Sequence, residues 1–457
     1  MPAKLQNARA NLTGPQGRLY AEPTPSSQET SFQQDNVSAE YYNSVYYEQH
    51  KNQVQPIPPA RAGAAPQLNL ADFVPAEIIT AINAAQRITF HSVGDTGAAK
   101  VSRSQTAATA IAHEAGVADA MSADVQSGGL PGPAFFFHLG DVVYNFGEAQ
   151  YYYDQFYEPF RDYDRPIFAI PGNHDGMVYG PNSSAPQVPT LQAFLENFCA
   201  AAIGPSPDAG TLLRSVMTQP AVYFTLDAPF VSIIGLYSNV LDSGAGVISS
   251  QNGHFPILKG DVQLAFLTSE LKRLKTLRQG EPRAVILAVH HPPASVDAKH
   301  GGSSGIEQDI DNCCKAAGLW PDVVLSGHAH LYQRFTRVVN GKNVPYIVSG
   351  SGGYAATAPQ GSVPTAPYTI GDTTLEVDPI IEFGYLTLVT DGKTLTITFK
   401  TAEDGTVTVR DTVTVDLTQG RITSGTNVPG GGGSKPKAAP RAATKTAAKA
   451  KKAAKKR

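Results

Sequence analysis

Between Arg87 and Tyr354 short apolar runs alternate with helical patterns, and this alternation restricts the fold more than any other feature of the chain. RITFHSV (87–93), AFFFHL (134–139), PIFAI (166–170), AVILAVH (284–290), DVVLSG (322–327) and YIVSGSGG (346–353) have the length and composition of buried strands. SQTAATAIAHEAG (104–116), EAQYYYDQFYEPF (148–160), TLQAFLENFCAAA (190–202), GDVQLAFLTSELKRLKTL (260–277) and IEQDIDNCCKAAG (306–318) read as helices. Strands and helices in alternation predict an α/β fold. ADFVPAEIITAINAAQ (71–86) adds a short amphipathic helix at the entrance. Residues 385–417 alternate strictly and carry two Asp-Gly pairs, the pattern of an antiparallel meander with tight hairpins.

The flanks differ in composition. Residues 1–69 are rich in Gln, Pro, Ser and Asn and show neither helical nor strand period, so a disordered segment is expected there. The folded domain is expected over 70–418. Residues 419–457 hold a glycine-rich linker and a basic tail. Ten of the 36 Lys and Arg residues lie in 435–457, which leaves 26 against 39 acidic residues, a net charge of −13 for the remainder. Such a tail can hold polyanions through counterion release, so weak nucleic-acid contact through 435–457 is one expectation. A solvated, disordered end is the simpler one. No apolar run approaches the roughly 18 residues of a membrane span. No signal peptide is readable at the N-terminus, and three cysteines make no disulfide framework. Both observations favour a cytoplasmic setting.

In α/β sheets, ligand sites gather beyond the carboxyl ends of the strands. Those ends read GDTG (94–97), GDVVY (140–144), GNHD (172–175), VHHPP (289–293) and GHAH (327–330). Together they supply Asp95, Asp141, Tyr144, Asn173, His290, His328 and His330. Imidazoles, carboxylates and an amide brought from separate loops are the donor set of a transition-metal site. Taken singly, each motif is an ordinary turn or surface histidine; five in order, each ending a strand, point to a shared centre.

These five blocks resemble those of the calcineurin-like metallophosphoesterases, whose third and fifth blocks end in GNH[DE] and GHxH. The resemblance runs from about Arg87 to Tyr354 and implies a two-sheet α/β sandwich flanked by helices. In most of that superfamily the first block is Asp-x-His; here Gly97 stands at the histidine position. Gly-Asp-x-Gly with Gly-Asp-x-x-Tyr is similar to the purple acid phosphatases, where a tyrosine replaces that histidine. The resemblance implies iron(III) held by Asp95, Asp141, Tyr144 and His330. A divalent ion (Fe2+, Zn2+ or Mn2+) is then implied at Asp141, Asn173, His290 and His328, with Asp141 bridging. It further implies hydrolysis of a small phosphorylated substrate by in-line attack of a metal-bound hydroxide, with His174 protonating the leaving group. His300, ten residues after His290, is a second candidate to contact phosphate.

Two alternatives stand beside phosphomonoester hydrolysis. One is a phosphodiesterase or nucleotidase with the same centre; the other is a nucleic-acid-associated protein tethered by its tail. His91 and His138 are expected as satisfied groups inside strands, and His291 as a residue that shapes the site.

Overall fold

The computed structural model describes residues 57–97, 107–176, 191–241, 244–245 and 262–427, apart from 64, 145, 146, 148, 299 and 362. His254, most of the segment 1–69 and the basic stretch 435–457 lie outside the described residues.

The strands begin with β1 (Gln67–Asn69), β2 (Ile88–Val93), β3 (Phe136–His138) and β4 (Ile167–Ala169). Next come β5 (Phe224–Ala228), β6 (Val231–Leu236), a small ribbon of β7 (Val240–Leu241) and β8 (Gly244–Ala245), and β9 (Ala284–Val289). The chain continues with β10 (Val323–Ser326), β11 (Tyr332–Val339), β12 (Lys342–Ser349), β13 (Tyr368–Ile370) and β14 (Thr373–Leu375). It closes with β15 (Gly384–Thr390), β16 (Thr394–Glu403), β17 (Thr406–Asp416) and β18 (Arg421–Asn427). The helices are α1 (Ala76–Ala85), α2 (Ala107–Ser127), the single turn α3 (Asn173–Gly176), α4 (Gln192–Phe198), α5 (Val262–Leu277) and α6 (Ser304–Ala317). Among the described residues, no helix is long and apolar enough to cross a membrane.

Two mixed sheets form the expected sandwich. One has the order β1-β5-β6-β9-β10-β12-β11-β14-β13 and the other β18-β17-β16-β15-β2-β3-β4. Each sheet contains a parallel run: β2, β3 and the edge strand β4 at one end of one sheet, and β6, β9, β10 and β12 in the middle of the other. Their apolar runs are continuous because both faces are covered. In β9, Ala284, Ile286 and Ala288 face the other sheet, in one core with Phe90, Phe137 and Phe168. Val285, Leu287 and Val289 join the second core, with Leu267 and Leu271 of α5 and Ile306 and Ile310 of α6. A one-residue slip would exchange these two sets, so the pattern pins the register.

The structure departs from the sequence-based expectations in several places, one of them at the C-terminal boundary: β18 pairs with β17, so the sheet runs past residue 418 into the stretch expected as linker and tail. Residues 67–69, inside the stretch expected to lack order, pair with β5 as a parallel edge strand; backbone bonds over three residues leave no side-chain signature. Residues 148–160 make a 3-10 turn, Ala149–Tyr151, and a π-helical turn, Tyr153–Tyr157, where a regular helix is expected. Tyr151, Tyr152, Asp154, Gln155, Phe156 and Tyr157 are all buried, so the stretch is covered nearly all round and lacks the clean amphipathic face of a surface helix. Finally, β5 and β6 form a buried antiparallel pair that the strand reading omits.

Candidate metal centre

All five chemical motifs follow the carboxyl ends of parallel strands: β2, β3 and β4 from one sheet, β9 and β10 from the other. Main-chain bonds tie these loops together. Asp95 N–H donates to Gly140 O at 2.9 Å, Gly94 N–H to Ser349 O at 2.9 Å and Gly327 N–H to His290 O at 3.0 Å. The turns are sharp enough that Asp95 (φ 58°), Asp141 (φ 55°) and His328 (φ 68°) all take left-handed backbone conformations. Such non-glycine residues cost of order 1–3 kcal/mol each and cluster where surrounding structure imposes them, commonly at functional sites.

The seven expected donors converge. Single ligand atoms of Asp141, His290 and His328 lie within 4.8 Å of one another. His290 Nε2 is 3.1 Å from Asn173 Oδ1 and 3.3 Å from Asp141 Oδ2. The Tyr144 hydroxyl sits between two carboxylates, 3.0 Å from Asp95 Oδ1 and 3.1 Å from Asp141 Oδ2. His330 Nε2 is 3.4 Å from Asp95 Oδ1. Asp141 thus touches both halves of the cluster. Gly97 explains the glycine in the first block. A Cβ there would lie 2.7 Å from Gln155 Oε1, 2.9 Å from Val142 O and 3.1 Å from the Tyr144 ring, so any side chain collides with the seat of the tyrosine.

The electrostatics suit a cation. Asp95 and Asp141 are buried, and their partners here are imidazoles, a phenol and backbone N–H groups. Burial, then the neighbouring Asp141 charge, pushes the Asp95 carboxyl up to about 7 against the pull of His290. Burial would also raise Asp141, but His290 and His174 outweigh it and hold that carboxyl well below its ordinary value. For His290, burial is overcome by Asp141 and Asp95, which lift the imidazole to about 9. His328 is driven well below its ordinary value by burial and by His291, His300, His290 and His330 around it. It is therefore neutral, the form in which an imidazole binds a metal. Asn173 offers the most telling detail: its Oδ1 faces the cluster while its buried Nδ2 has no hydrogen-bond partner among the described residues. That donor is left for an acceptor such as water or a substrate oxygen, while Oδ1 is the atom free to face a cation. The donor set fits a pair of metal ions.

The structure brings the candidate proton donor His174 and the candidate phosphate contact His300 to the same cluster. His174 N–H donates to Asp141 Oδ1 at 2.8 Å, and its ring packs against Tyr144 at 4.4 Å between centroids. The His300 ring lies 4.2 Å from His328 and 5.9 Å from His330.

Of the residues that hold these groups, sequence reasoning misses Asp297 and leaves Asp175 open between orienting His174 and capping a turn. Asp297 accepts the His300 N–H at 2.9 Å and lies 3.4 Å from its Nδ1; an acid three residues before a histidine is the one available signal. Asp175 accepts N–H bonds from Gly172 (2.8 Å), Val142 (3.1 Å) and Val143 (3.3 Å), stapling the second block to the third. His291 takes the shaping position expected of it, with Nδ1 2.9 Å from Ser238 Oγ and its ring 4.3 Å from His328. His138, lowered by burial to about 3, is neutral. Its Nδ1 accepts the Gly140 N–H, so Nε2 carries the proton given to Thr96 Oγ1, and the ring spans the first two blocks.

A buried cluster of carboxylates, imidazoles, an amide and a phenol thus lies at the carboxyl edges of a two-sheet sandwich, with the donor set of a metal centre. The chain belongs to the calcineurin-like phosphoesterase family, whose model matches residues 89–332. Solved structures resemble it at low identity, among them the following three. A purple acid phosphatase from yellow lupin (Lupinus luteus) seeds is 16% identical, with a TM-score of 0.48 over 73% of this chain and 54% of that one. GAP50, the anchor in the inner membrane complex of Plasmodium, is 14% identical, with a TM-score of 0.44 over 70% and 86%. A dimetal phosphatase from Danio rerio is 12% identical, with a TM-score of 0.40 over 72% and 98%. This chain therefore spans about half the length of the lupin phosphatase it matches. No curated protein sequence matches it.

Proposed function

We propose that the chain is a binuclear-metal phosphomonoesterase of the purple acid phosphatase type. The supporting observation is the Tyr144 hydroxyl lodged between Asp95 and Asp141, beside a glycine at the histidine position of the Asp-x-His relatives. Asp95, Asp141, Tyr144 and His330 would hold iron(III), since a phenolate is a hard anionic donor. Asp141, Asn173, His290 and His328 would hold a divalent ion. When bound, such a pair supplies Lewis acidity toward the phosphoryl group and an acidified water as nucleophile. His174, fixed at its backbone by Asp141, protonates the leaving alkoxide. His300, beside Asp297, contacts the phosphoryl oxygens from the His328 side. The family gives no support to nucleic-acid contact by 435–457.

The test combines a substrate panel with metal analysis and a visible spectrum of protein purified without added metal bias. Phosphomonoesters should be hydrolysed in preference to diesters and nucleotides, and the oxidised protein should carry a tyrosinate–iron(III) charge-transfer band. Tyr144→Phe keeps the ring volume and should abolish the band and weaken iron retention. His174→Ala should keep both metals and lower turnover by about 10²–10⁴-fold. Preference for diesters would replace the monoesterase reading. Active, colourless, iron-free protein would leave a binuclear phosphoesterase of another branch.

A further inference from the structure

A phenol can act as a metal ligand only if its ring is held in one orientation, and Tyr144 is held from two sides by residues outside the donor set. Gln155 lies in the π-helical turn Tyr153–Tyr157, a type of distortion found mainly at functional positions. Its side chain is buried, and its amide matches the main chain of Tyr144 bond for bond. Gln155 Oε1 accepts the Tyr144 N–H at 2.9 Å, and Gln155 Nε2 donates to the Tyr144 carbonyl at 3.0 Å. This is the pairing that a neighbouring strand would supply, delivered by one side chain where no strand runs. The same Oε1 closes the space at Gly97. Gln155 therefore occupies the room that a histidine in the first block would need.

The ring is fixed separately. Tyr354 stacks on Tyr144 with centroids 3.5 Å apart and planes 7° from parallel. Tyr354 is itself anchored, because its N–H donates to Asp95 O at 3.1 Å. The stacking partner and the first carboxylate thus share one short stretch of backbone contact. Direct face-to-face stacking is not the arrangement aromatic pairs favour by themselves, and the anchored backbone of Tyr354 holds the pair in it.

We propose that Gln155 and Tyr354 are positioning residues that make Tyr144 a metal-directed donor, the first through its main chain and the second through its ring. The proposal rests on the iron–tyrosinate reading above. Its test uses the charge-transfer band and iron retention of full-length protein, with thermal unfolding as a control for folding. Tyr354→Leu and Gln155→Met should each shift or weaken the band and lower iron affinity about 10–100-fold, the usual effect of removing a residue that orients a ligand. Tyr354→Phe keeps the stack and should keep the band. If Gln155→Met does not fold, Tyr354→Leu against Tyr354→Phe decides the matter. A coloured wild type whose band is unmoved in a folded Tyr354→Leu overturns the inference alone. A colourless, iron-free wild type overturns the reading and the inference with it.

Discussion

Buried aspartates occur at the carboxyl edge of the parallel strands and in the antiparallel meander, and the two regions treat them in opposite ways. In the meander, Asp411 is fully buried and meets Arg334 Nε at 2.6 Å and the Tyr332 hydroxyl at 2.7 Å, so its charge is matched. Local preferences agree with the fold there as well: Asp404 (φ 49°) and Gly405 (φ 73°) form the two-residue turn between β16 and β17 that an Asp-Gly pair favours. At the strand ends, Asp95 and Asp141 share one phenol, sit among imidazoles and hold left-handed backbones. Where every signal agrees, the region is structural; where several conflict at once, the structure is arranged around something it must bind.

The same substitution in each region should therefore do different things. Asp141→Asn removes the one carboxylate common to both halves of the cluster. Metal analysis should show both ions lost, and hydrolysis should fall by more than about 10³-fold, beyond the loss of a single preorganised donor. Urea unfolding of the metal-free protein should show a smaller loss than Asp411→Asn does, because His290, whose proton Asp141 holds, can give that proton up once the carboxylate is gone. Asp411→Asn should leave metal content unchanged and cost about 3–5 kcal/mol in the same unfolding measurement, since the buried Arg334 guanidinium loses its counterion. If Asp411→Asn depletes metal, or Asp141→Asn destabilises the metal-free protein by a similar amount, the contrast is wrong.

The smallest expected effect lies between the two regions. Asp124 on α2 reaches Lys400 Nζ at 2.6 Å, the Tyr385 hydroxyl at 2.8 Å and His91 Nε2 at 3.4 Å. Burial would raise its pKa, but bonds from His91, Lys400 and Tyr385 outweigh it and hold the carboxyl well below 3.8. With the folded value depressed, its contribution is complete above the ordinary carboxylate range and is lost as the pH falls below about 4. Asp124→Asn should flatten that acid limb by about 1 kcal/mol or less, as expected of a partly exposed pair. Unfolding curves taken between neutral and acid pH would show it, and an unchanged acid limb would count against the assignment.

The candidate site was more legible than the scaffold around it. Metal chemistry demands particular residue types, and Asp95, Asp141, Asn173, His290 and His328 each follow an apolar run that ends abruptly, so position and chemistry mark them together. The sheets were legible where burial on both faces produced unbroken apolar runs, as in β9. They were not legible at β5 and β6, whose run is broken by Asp227 and by Pro229 in the turn, or at β1, whose sheet pairing is by backbone. Gln155 was hidden for another reason. It lies among tyrosines in a stretch with helical composition, and only the π-helical turn carries its amide to Tyr144. Tyr354 is legible as the residue after a glycine-rich segment, but its stacking depends on how that segment crosses the Asp95 loop.

The central claim is that these seven residues hold two ions bridged by Asp141. Crystals of the full-length protein, grown with iron and zinc present, test it most directly through anomalous scattering at the two absorption edges. The account predicts two peaks about 3.5–4 Å apart, with Asp141 touching both and Tyr144 touching the iron. A single peak, two peaks without Asp141 between them, or peaks elsewhere on the molecule would contradict it.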